Sequence, residues 1–318
     1  MELLKKYSLI ERYGMLRSRI SIIAEDLKTK VNVPVSIRLK LLAKGFFSWH
    51  YILYDLKNND LKNYLSEYER RKTRFINGKA AYILSDKLVC DQILRQYVRT
   101  ANIYSIIMNG IIYSMHDKVS MTSVKDIADY LEKIGPLVLK PNSGTDGGKG
   151  VIVVKLINGK IISNGRQLGM HEFSKLIGSL DNYIICEYIK QGEYGKSLFS
   201  ETVNSIRILT MMSPDDNKPF IATAVQRIGT KKSRPVDNWA AGGLSAYIDV
   251  YTGVLSEAVS FKDGVLRYHD THPDTGKQIK GISIPNWDEV KNKILYVASK
   301  LPYIPYIAWD VVLLDKDI

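Results

Sequence analysis

Apolar residues in the first 75 positions recur at intervals of three and four, which is the spacing of one face of an α-helix. Pro34 separates an early set from a later and less regular set, and Asn77-Gly78 is a turn signal that follows both. The early positions are Leu16, Ile20, Ile23 and Leu27, and the later ones are Leu53, Leu56, Leu61, Tyr64 and Leu65. The pattern predicts a helical region over residues 1–75.

A further helix is predicted over residues 86–98, whose sequence is DKLVCDQILRQYV. Ser85 precedes its first turn, and a serine hydroxyl at that position accepts a hydrogen bond from an unpaired backbone N–H group. We therefore expect Ser85 to cap this helix.

The pattern changes after Gly135, where short runs of β-branched and aromatic residues alternate with Gly, Asn and Asp turns. Strands are predicted at residues 137–140, 151–157, 183–189, 206–212, 220–226, 245–250 and 307–314. Helical periodicity returns at residues 171–180 and 287–300. A helical N-terminal part is thus expected to precede an α+β part with mostly antiparallel strands.

The composition is that of a folded globular protein, with 318 residues, 45% hydrophobic and 25% charged. No uninterrupted apolar run approaches the ~20 residues of a membrane-spanning helix. Two cysteines, Cys90 and Cys186, are too few for a disulfide framework. The first residues lack the apolar core of a secretion signal, so we expect a cytoplasmic location.

Positive charge is concentrated in the first third of the chain. Residues 1–99 hold 20 Lys and Arg against 10 Asp and Glu, a net of +10, whereas the whole chain carries +12. A surface of this kind attracts phosphate groups on a metabolite or an anionic membrane. No RNA-binding aromatic signature or zinc-finger spacing accompanies the charge, which disfavours nucleic acid as a partner.

A short basic run consists of Arg70, Arg71, Lys72 and Arg74. We expect it to belong to a helical element that forms a basic wall of an acceptor site or a membrane-facing surface. The alternative, a helical cap with solvated charges, stays open.

The strongest local motif is LVLKPNSGTDGGKGV at residues 137–151, a strand that ends in Lys140, then a glycine-rich loop, then a second strand. Glycines allow successive backbone N–H groups to point at one anion, and a neighbouring lysine adds charge. The loop residues concerned are Ser143, Gly144, Gly147, Gly148 and Gly150. The spacing is not that of Walker A, and a strand follows where the dinucleotide fingerprint needs a helix. A hairpin that covers phosphates and an ordinary glycine-rich hairpin both remain open from this loop alone.

Several motifs in the same order resemble the ATP-grasp superfamily, and within it the sugar-transfer-associated ATP-grasp family. The resemblance covers roughly residues 80–318 and rests on these stretches: SDKLVCDQIL at 85–94, LVLKPNSGTDGGKGV at 137–151, ICEYI at 185–189, VNSIRILT at 203–210, VQRIGTKKSRPVDNWAAGG at 225–243 and WDVV at 309–312. The resemblance implies two α+β subdomains that clasp ATP. The domain boundaries expected are 1–75 for the helical region, 76–136 for the first ATP-grasp part, 137–190 for the lid subdomain and 191–318 for the C-terminal subdomain.

The resemblance also implies roles for individual residues. Catalysis would fall to Lys140, Arg207 and Arg227. Nucleotide would be bound by Lys87, Lys140, Ser143, Gly144, Gly147, Gly148, Gly150, Glu187, Tyr188, Ile189 and Arg207. The acceptor would contact Arg227, Asp237 and Asn238, and Asp310 would hold Mg²⁺.

One departure from the family pattern concerns the metal. ATP-grasp enzymes usually carry Glu-x-Asn shortly after the magnesium aspartate, whereas Asp310 is followed by VVLLDKDI. Asp315 and Asp317 lie on this tail but do not make that motif. We therefore expect either a truncated chain or a weakly bound metal.

The activity implied is an ATP-dependent ligase that joins a carboxylate to an amine through an acyl phosphate. The acceptor is expected to be a sugar acid or a glycan precursor of polysaccharide biosynthesis. A phosphotransferase of the same fold is the alternative enzyme, because fold does not fix the reaction. A non-catalytic nucleotide-binding homologue is the alternative without turnover.

The histidines favour structural interpretations. His269 and His272 lie in HDTHPDTG, where a turn is favoured over a zinc site because no second His or Cys cluster exists in the sequence. Trp49-His50-Tyr51 is more typical of a core segment than of a ligand site.

Overall fold

The computed structural model describes residues 9–116, 118–144, 149–262 and 264–315. Its α-helices are α1 (Leu9–Leu27), α2 (Val35–Ala43), α3 (His50–Leu53), α4 (Glu67–Lys72), α5 (Ala81–Ser85), α6 (Lys87–Leu94), α7 (Val124–Lys133), α8 (Met170–Gly178), α9 (Glu193–Leu198) and α10 (Trp287–Ser299). Its strands are β1 (Ile103–Met108), β2 (Ile111–Ser114), β3 (Leu137–Pro141), β4 (Ile152–Ile157), β5 (Lys160–Ser163), β6 (Arg166–Leu168), β7 (Tyr183–Glu187), β8 (Ile206–Met212), β9 (Pro219–Ile228), β10 (Leu244–Ile248), β11 (Leu255–Lys262), β12 (Val265–His269) and β13 (Tyr306–Val311). None of the helices in these ranges is long and apolar enough to cross a bilayer.

The N-terminal region is helical, although the second predicted segment is broken. Helix α3 ends at Leu53, and Asp55 follows with a left-handed φ of 44°. The side chains of Asn58 and Asn59 donate hydrogen bonds to Asp55 and to the Tyr54 carbonyl, respectively. Local bonds of this kind compete with the helical ladder, so the apolar spacing from Leu53 to Leu65 does not produce one helix.

The helix after Ser85 begins one residue later than expected. Asp86 is its N-cap, because the Asp86 carboxylate accepts a hydrogen bond from the Val89 N–H at 3.0 Å. Ser85 instead ends α5, and its hydroxyl donates to the Tyr82 carbonyl. The prediction that Ser85 caps this helix was therefore wrong.

The basic run is only partly exposed. Arg70 makes two hydrogen bonds to Glu67, and Arg71 pairs with Glu67 at 2.7 Å and with Glu25 of α1 at 2.8 Å. Lys72 lies over the ring of Tyr68. The contacts of Arg71 join α1 to α4 and hold that side chain within the N-terminal region, whereas Arg70 and Arg74 remain exposed.

The first sheet contains seven antiparallel strands in the order β2-β1-β7-β3-β4-β5-β6. Helices α7 and α8 cover one face, where a buried apolar cluster includes Ile107, Leu137, Leu139, Phe173 and Ile185. The other face is open at Lys140 of β3, and α6 covers part of the rest, where Leu88 packs with Val138, Ile184 and Cys186.

The second sheet contains six antiparallel strands in the order β12-β11-β10-β9-β8-β13. Its core face packs on α10, with Ile208, Ala224, Ala246, Val290 and Ile294 in one buried cluster. Side chains alternate between the two faces of a strand, so the residues between these positions point to the opposite, open face. The two open faces border the candidate site.

All seven predicted strands are present, and so are both helices predicted after Gly135. The α+β class with antiparallel strands is confirmed. The elements that were not predicted from the sequence are the helices α5, α7 and α9 and the strands β1, β2, β5, β6, β11 and β12.

Candidate active site

Two adjoining cavities lie between the sheets. The larger, about 680 Å³, is lined by Val138, Lys140 and Glu187 of the first sheet and by Thr202 and Arg234 from the second half of the chain. The smaller, about 340 Å³, is lined by Lys140, Ile189 and Asp310 among others. Because Lys140 lines both, the cavities form one cleft, whose volume suits a nucleotide-sized ligand.

Lys140 stands at the end of β3 on the open face of the first sheet. Its ammonium group lies beside the Cys186 thiol, whose pKa is raised by burial, an effect that Lys140 partly offsets. The Cys186 Sγ also donates to the Val138 carbonyl at 3.3 Å. Lys140 therefore faces the cleft and lies on the side chains of Val138 and Cys186.

Glu187 is the last residue of β7, and its carboxylate accepts hydrogen bonds from Arg99 and Asn102. Arg99 donates to Oε1 at 3.0 Å, and the backbone and side-chain nitrogens of Asn102 donate to Oε2 at 3.1 Å each. Tyr188 and Ile189 follow, and both line the larger cavity. The three residues that the sequence assigns to the nucleotide thus lie together at one wall of the cleft.

Lys87 has a different position from Lys140. Its Nζ donates to the carbonyls of Pro141 and Asn142 at 2.7 and 3.2 Å. The buried Asn142 side chain donates to Asp86 and accepts from the Leu88 N–H. Lys87 therefore joins the start of α6 to the start of the glycine loop, which places it at the base of the loop.

The glycine loop is described on both sides of residues 145–148. Gly144 and Gly150 have φ values of +78° and +76°, a region that favours glycine. A Cβ on Gly150 would meet the Tyr183 hydroxyl at 2.8 Å. Ser143 accepts a hydrogen bond from Asn182 at 3.0 Å. Gly147 and Gly148, assigned to nucleotide from the sequence, lie outside the described residues.

Four predicted residues meet on the open face of the second sheet. Asp310 of β13 stands opposite Arg207 of β8, and Arg207 binds both oxygens of that carboxylate at 2.6 and 2.8 Å. Arg227 of β9 contacts Asp310 at 3.3 Å and Asp237 at 3.2 Å. The hydrogen bond from Arg207 to Asp310 raises the pKa of Arg207, so the guanidinium remains charged.

The carboxylates in this cluster are not equivalent. Asp237 is buried and also accepts hydrogen bonds from the Ser205 N–H and hydroxyl at 2.9 and 2.5 Å. Asp310 is half-exposed and lines the smaller cavity. A carboxylate offers about four acceptor positions, so Asp310 has capacity left toward the cleft, whereas Asp237 is used structurally to orient Arg227.

The described residues do not contain a group of three His, Cys, Asp or Glu side chains that would enclose a metal. Asp315, on the tail, accepts a hydrogen bond from the Glu193 N–H at the start of α9 at 2.6 Å, and Asp317 lies outside the described part. Mg²⁺ is commonly held by one or two carboxylates together with substrate phosphates and water. The residues therefore fit a magnesium ion only as a site at Asp310 that phosphate oxygens complete.

Asn238, predicted to contact the acceptor, has a local hydrogen bond in the structure. Its Oδ1 accepts from the Ala240 N–H at 3.2 Å, so the side chain caps a short turn. The same turn carries Trp239, whose indole N–H donates to the Val259 carbonyl at 3.2 Å. The turn thereby joins Asp237 of the charged cluster to β11.

A third cavity, about 500 Å³, lies where this turn meets the N-terminal region. Phe261 stands between two tryptophans, with ring centroids 5.6 Å from Trp49 and 6.2 Å from Trp239. Lys28 and Lys30 also line it. No motif in the sequence indicated this group, because its members come from four separate segments.

Lys155 and Arg234 line the large cavity and were also missed. A signal for Lys155 existed, because Val151, Val153 and Lys155 alternate along the strand and so share the open face. Arg234 sits in an irregular loop, where no periodicity marks its direction.

The two histidines of the HDTHPDTG segment have structural partners. His272 is buried, contacts the Gly229 carbonyl at 2.8 Å and stacks on Phe199 with centroids 4.8 Å apart. His269 contacts the Ser260 hydroxyl at 2.9 Å. Both rings are thus engaged in holding the loop.

Comparison with protein families gives one match, to the family described as sugar-transfer associated ATP-grasp, over residues 67–317. The matched segment begins at the first residue of α4 and contains both sheets and the cleft. Helices α1–α3 lie outside it. No curated protein matches the sequence.

Solved structures that are similar to this chain include an ADP complex of purK, N5-carboxyaminoimidazole ribonucleotide synthetase, with a TM-score of 0.41 and 10% identity over 75% of this chain and 44% of that one. D-alanine–D-alanine ligase from Bacillus anthracis complexed with ATP gives 0.35 and 16% over 75% and 54%. The ATP-grasp ligase PsnB complexed with minimal precursor gives 0.36 and 12% over 76% and 52%. The chain spans about half the length of these structures.

Proposed function

Because the chain belongs to the sugar-transfer associated ATP-grasp family, we propose that it is an ATP-dependent ligase that joins a carboxylate to an amine. The observation that carries the proposal is the cleft between the sheets, where Lys140, Ile189 and Asp310 line one cavity. We assign ATP to this cleft, with its base toward Glu187–Ile189 and its phosphates toward Lys140 and the glycine loop.

The chemistry explains why both basic and acidic groups face the cleft. A carboxylate resists attack by an amine because it is anionic and has a poor leaving group. Transfer of the γ-phosphoryl group makes an acyl phosphate; the amine nitrogen then attacks the carbonyl carbon, the C–N bond forms, and inorganic phosphate leaves. Phosphoryl transfer needs positioning and charge neutralisation more than covalent help.

Several residues of this chain contribute to this positioning and charge neutralisation. Lys140 neutralises phosphate oxygens, and Arg207 adds charge from the opposite sheet. Arg227, held by the buried Asp237, is aligned for the acceptor carboxylate or the oxyanion of the tetrahedral intermediate. Lys87 holds the base of the glycine loop. Magnesium at Asp310 would supply further neutralisation of the phosphates.

We place the acceptor on the open face of the second sheet, toward the aromatic cavity. Arg227 pairs with Ser245 and Ser245 with Val259, so two strand spacings, about 10 Å, separate Arg227 from Val259. Phe261 follows on the same face. The faces of Trp49 and Trp239 suit the C–H groups of a sugar ring, which supports a sugar acid or glycan precursor of polysaccharide biosynthesis as the acceptor, in the cytoplasm where ATP is available.

The test is turnover of ATP by the purified chain with Mg²⁺ against panels of sugar acids and of amines. We expect ADP and inorganic phosphate to appear in equal amounts only when an acceptor and an amine are both present, together with a condensed product by mass spectrometry. Reactions that lack either substrate are the controls.

Two other results would contradict the ligase. ADP that forms without free phosphate, with a phosphorylated acceptor, would identify a phosphotransferase. Nucleotide binding without turnover for any pair would favour a non-catalytic ATP-grasp protein.

A further inference from the structure

Helix α1 buries its more polar side. Ser18, Ile22 and Asp26 are buried against the rest of the N-terminal region, and they are spaced four residues apart on one helical face. Two of these three side chains are polar. The helix therefore docks through groups that most surface helices direct toward solvent.

A network of ionic and hydrogen bonds fixes this orientation. Asp26 accepts from the backbone and hydroxyl of Ser48 at 2.6 and 2.7 Å and pairs with Arg38 at 2.8 Å. Arg71 of α4 pairs with Glu25 and donates to the Ser21 hydroxyl at 3.1 Å. Rotation of α1 to bury its other side would break these bonds and leave the Asp26 carboxylate without its partners.

The opposite side of α1 is apolar and exposed. Its large side chains are between 46% and 69% exposed, and they are Tyr13, Leu16, Ile20, Ile23 and Leu27. At 100° per residue these five positions fall within a sector of about 80°. The stripe therefore runs along one side of the helix with no covering element among the described residues.

The charges around the stripe are basic. Arg17 and Arg19 lie on either border, and Lys28 and Lys30 follow the helix. Arg17, Lys28 and Lys30 have no carboxylate within ion-pair distance in the described part of the chain, whereas Glu25 and Asp26 are both paired with arginines. An apolar stripe between basic side chains is the pattern of a helix that lies in a membrane interface.

We propose that the exposed face of α1 docks the protein on an anionic lipid surface. A second copy of the chain is the less suitable occupant, because an isologous contact would bring the same basic borders together and like charges across an interface repel. The face lies outside the matched family segment of residues 67–317, so this inference goes beyond the proposed ligase activity and does not depend on it.

The test is binding of the full chain to vesicles of phosphatidylcholine with 30 mol% phosphatidylserine, measured by co-sedimentation. We expect the wild type to bind these vesicles, to bind less as salt rises and to leave pure phosphatidylcholine vesicles unbound. The double variant Ile20→Ser/Ile23→Ser should lower the partition coefficient at least about tenfold, because each lost methylene that inserts contributes to membrane affinity.

The matched control is Ile111→Ser/Ile157→Ser, which removes two isoleucines of similar exposure, 57% and 45%, from strands of the first sheet. It should bind like the wild type, and both double variants should keep the wild-type thermal midpoint. Equal vesicle binding by the wild type and both variants would overturn the proposal, and so would no binding by the wild type. Self-association that Ile20→Ser/Ile23→Ser abolishes would assign the face to a second copy instead.

Discussion

Lys140 is the residue on which the assignment of the cleft depends most directly. It lines both cavities between the sheets, and it lies on the side chains of Val138 and Cys186. Its ammonium is thus held where it reaches a ligand from either cavity.

We expect Lys140→Ala to weaken nucleotide binding by about 1.5–3 kcal/mol, the usual range for a hydrogen bond to a charged group, or roughly 10- to 150-fold in Kd. Calorimetric titration with a non-hydrolysable ATP analogue measures this change. Lys160→Ala, at an exposed position of β5, is the control and should leave the affinity unchanged. Equal affinities of the wild type and Lys140→Ala would remove Lys140 from the site.

His50 gives a prediction about pH. The ring is buried among Phe46, Phe47, Trp49 and Tyr54, and its Nδ1 has no hydrogen-bond partner among the residues that the structure describes. Burial lowers the pKa of His50 to about 4, although the nearby Glu67 and Asp26 act in the opposite direction and Arg70 reinforces the effect.

Between pH 6.5 and pH 4 the unfolded chain therefore binds a proton at His50 that the folded chain does not. Stability falls as the pH falls through this range, by about 2 kcal/mol at pH 5. Urea unfolding at pH 7 and pH 5 should show this loss in the wild type and a smaller one in His50→Phe, which keeps the ring contacts. The same pH dependence in both proteins would show that His50 is not its source.

The sequence was most informative where a residue follows a recognisable motif. Lys140 before the glycine loop, Glu187 at the end of β7 and Asp310 on a late strand were all predicted from motif order, and the fold brings them to one cleft. It was least informative for Trp49, Trp239 and Phe261, because their proximity depends on how the N-terminal region docks on the second sheet.

At the scale of elements, α1 shows that helical spacing predicts a helix without predicting which face is buried. The apolar positions Leu16, Ile20, Ile23 and Leu27 have the period of a core-facing helix, but the structure exposes them. The buried face is instead set by the ion pairs of Asp26 and Glu25 with arginines far along the chain.

This arrangement predicts that loss of a polar side chain from α1 lowers the stability more than loss of an apolar one. Asp26→Ala should lower the free energy of unfolding by about 3 kcal/mol, because it leaves Arg38 and the buried Ser48 groups without an acceptor. Ile20→Ala on the same helix should change it by less than about 0.5 kcal/mol, as for other surface positions. Urea titration followed by circular dichroism compares the two variants; a larger loss from Ile20→Ala would contradict the orientation of α1.

Two of the strands that were missed are very short. Strand β6 has three residues and β5 four, too few for period-two alternation to be distinguished from a turn. Helix α7 could have been found, because Ser123 and Asp126 form a capping box immediately before an amphipathic run.

At the scale of the whole molecule, the two sheets explain why residues distant in sequence form one site. Each sheet has one face covered by helices, so the polar residues between apolar ones are directed to the open faces. The class of fold followed from this alternation. The strand order did not, because it depends on pairings between residues up to 105 positions apart in the sequence.

The N-terminal segment is also anchored to the second sheet. Asn77 exchanges two hydrogen bonds with the backbone of Tyr306, the first residue of β13, at 2.7 and 3.0 Å. An edge strand that is partly covered in this way is less available for pairing with another chain.

The position of β7 has a consequence for how the protein is made. Strand β7 lies between β1 and β3, although both precede it in the chain. During synthesis, the strands β1–β2 and the strands β3–β6 are therefore two separate groups until β7 leaves the ribosome and pairs with β1 and β3. Glu187, at the end of that strand, arrives in the same event. A nascent chain therefore lacks one wall of the cleft between the sheets until its first sheet is closed.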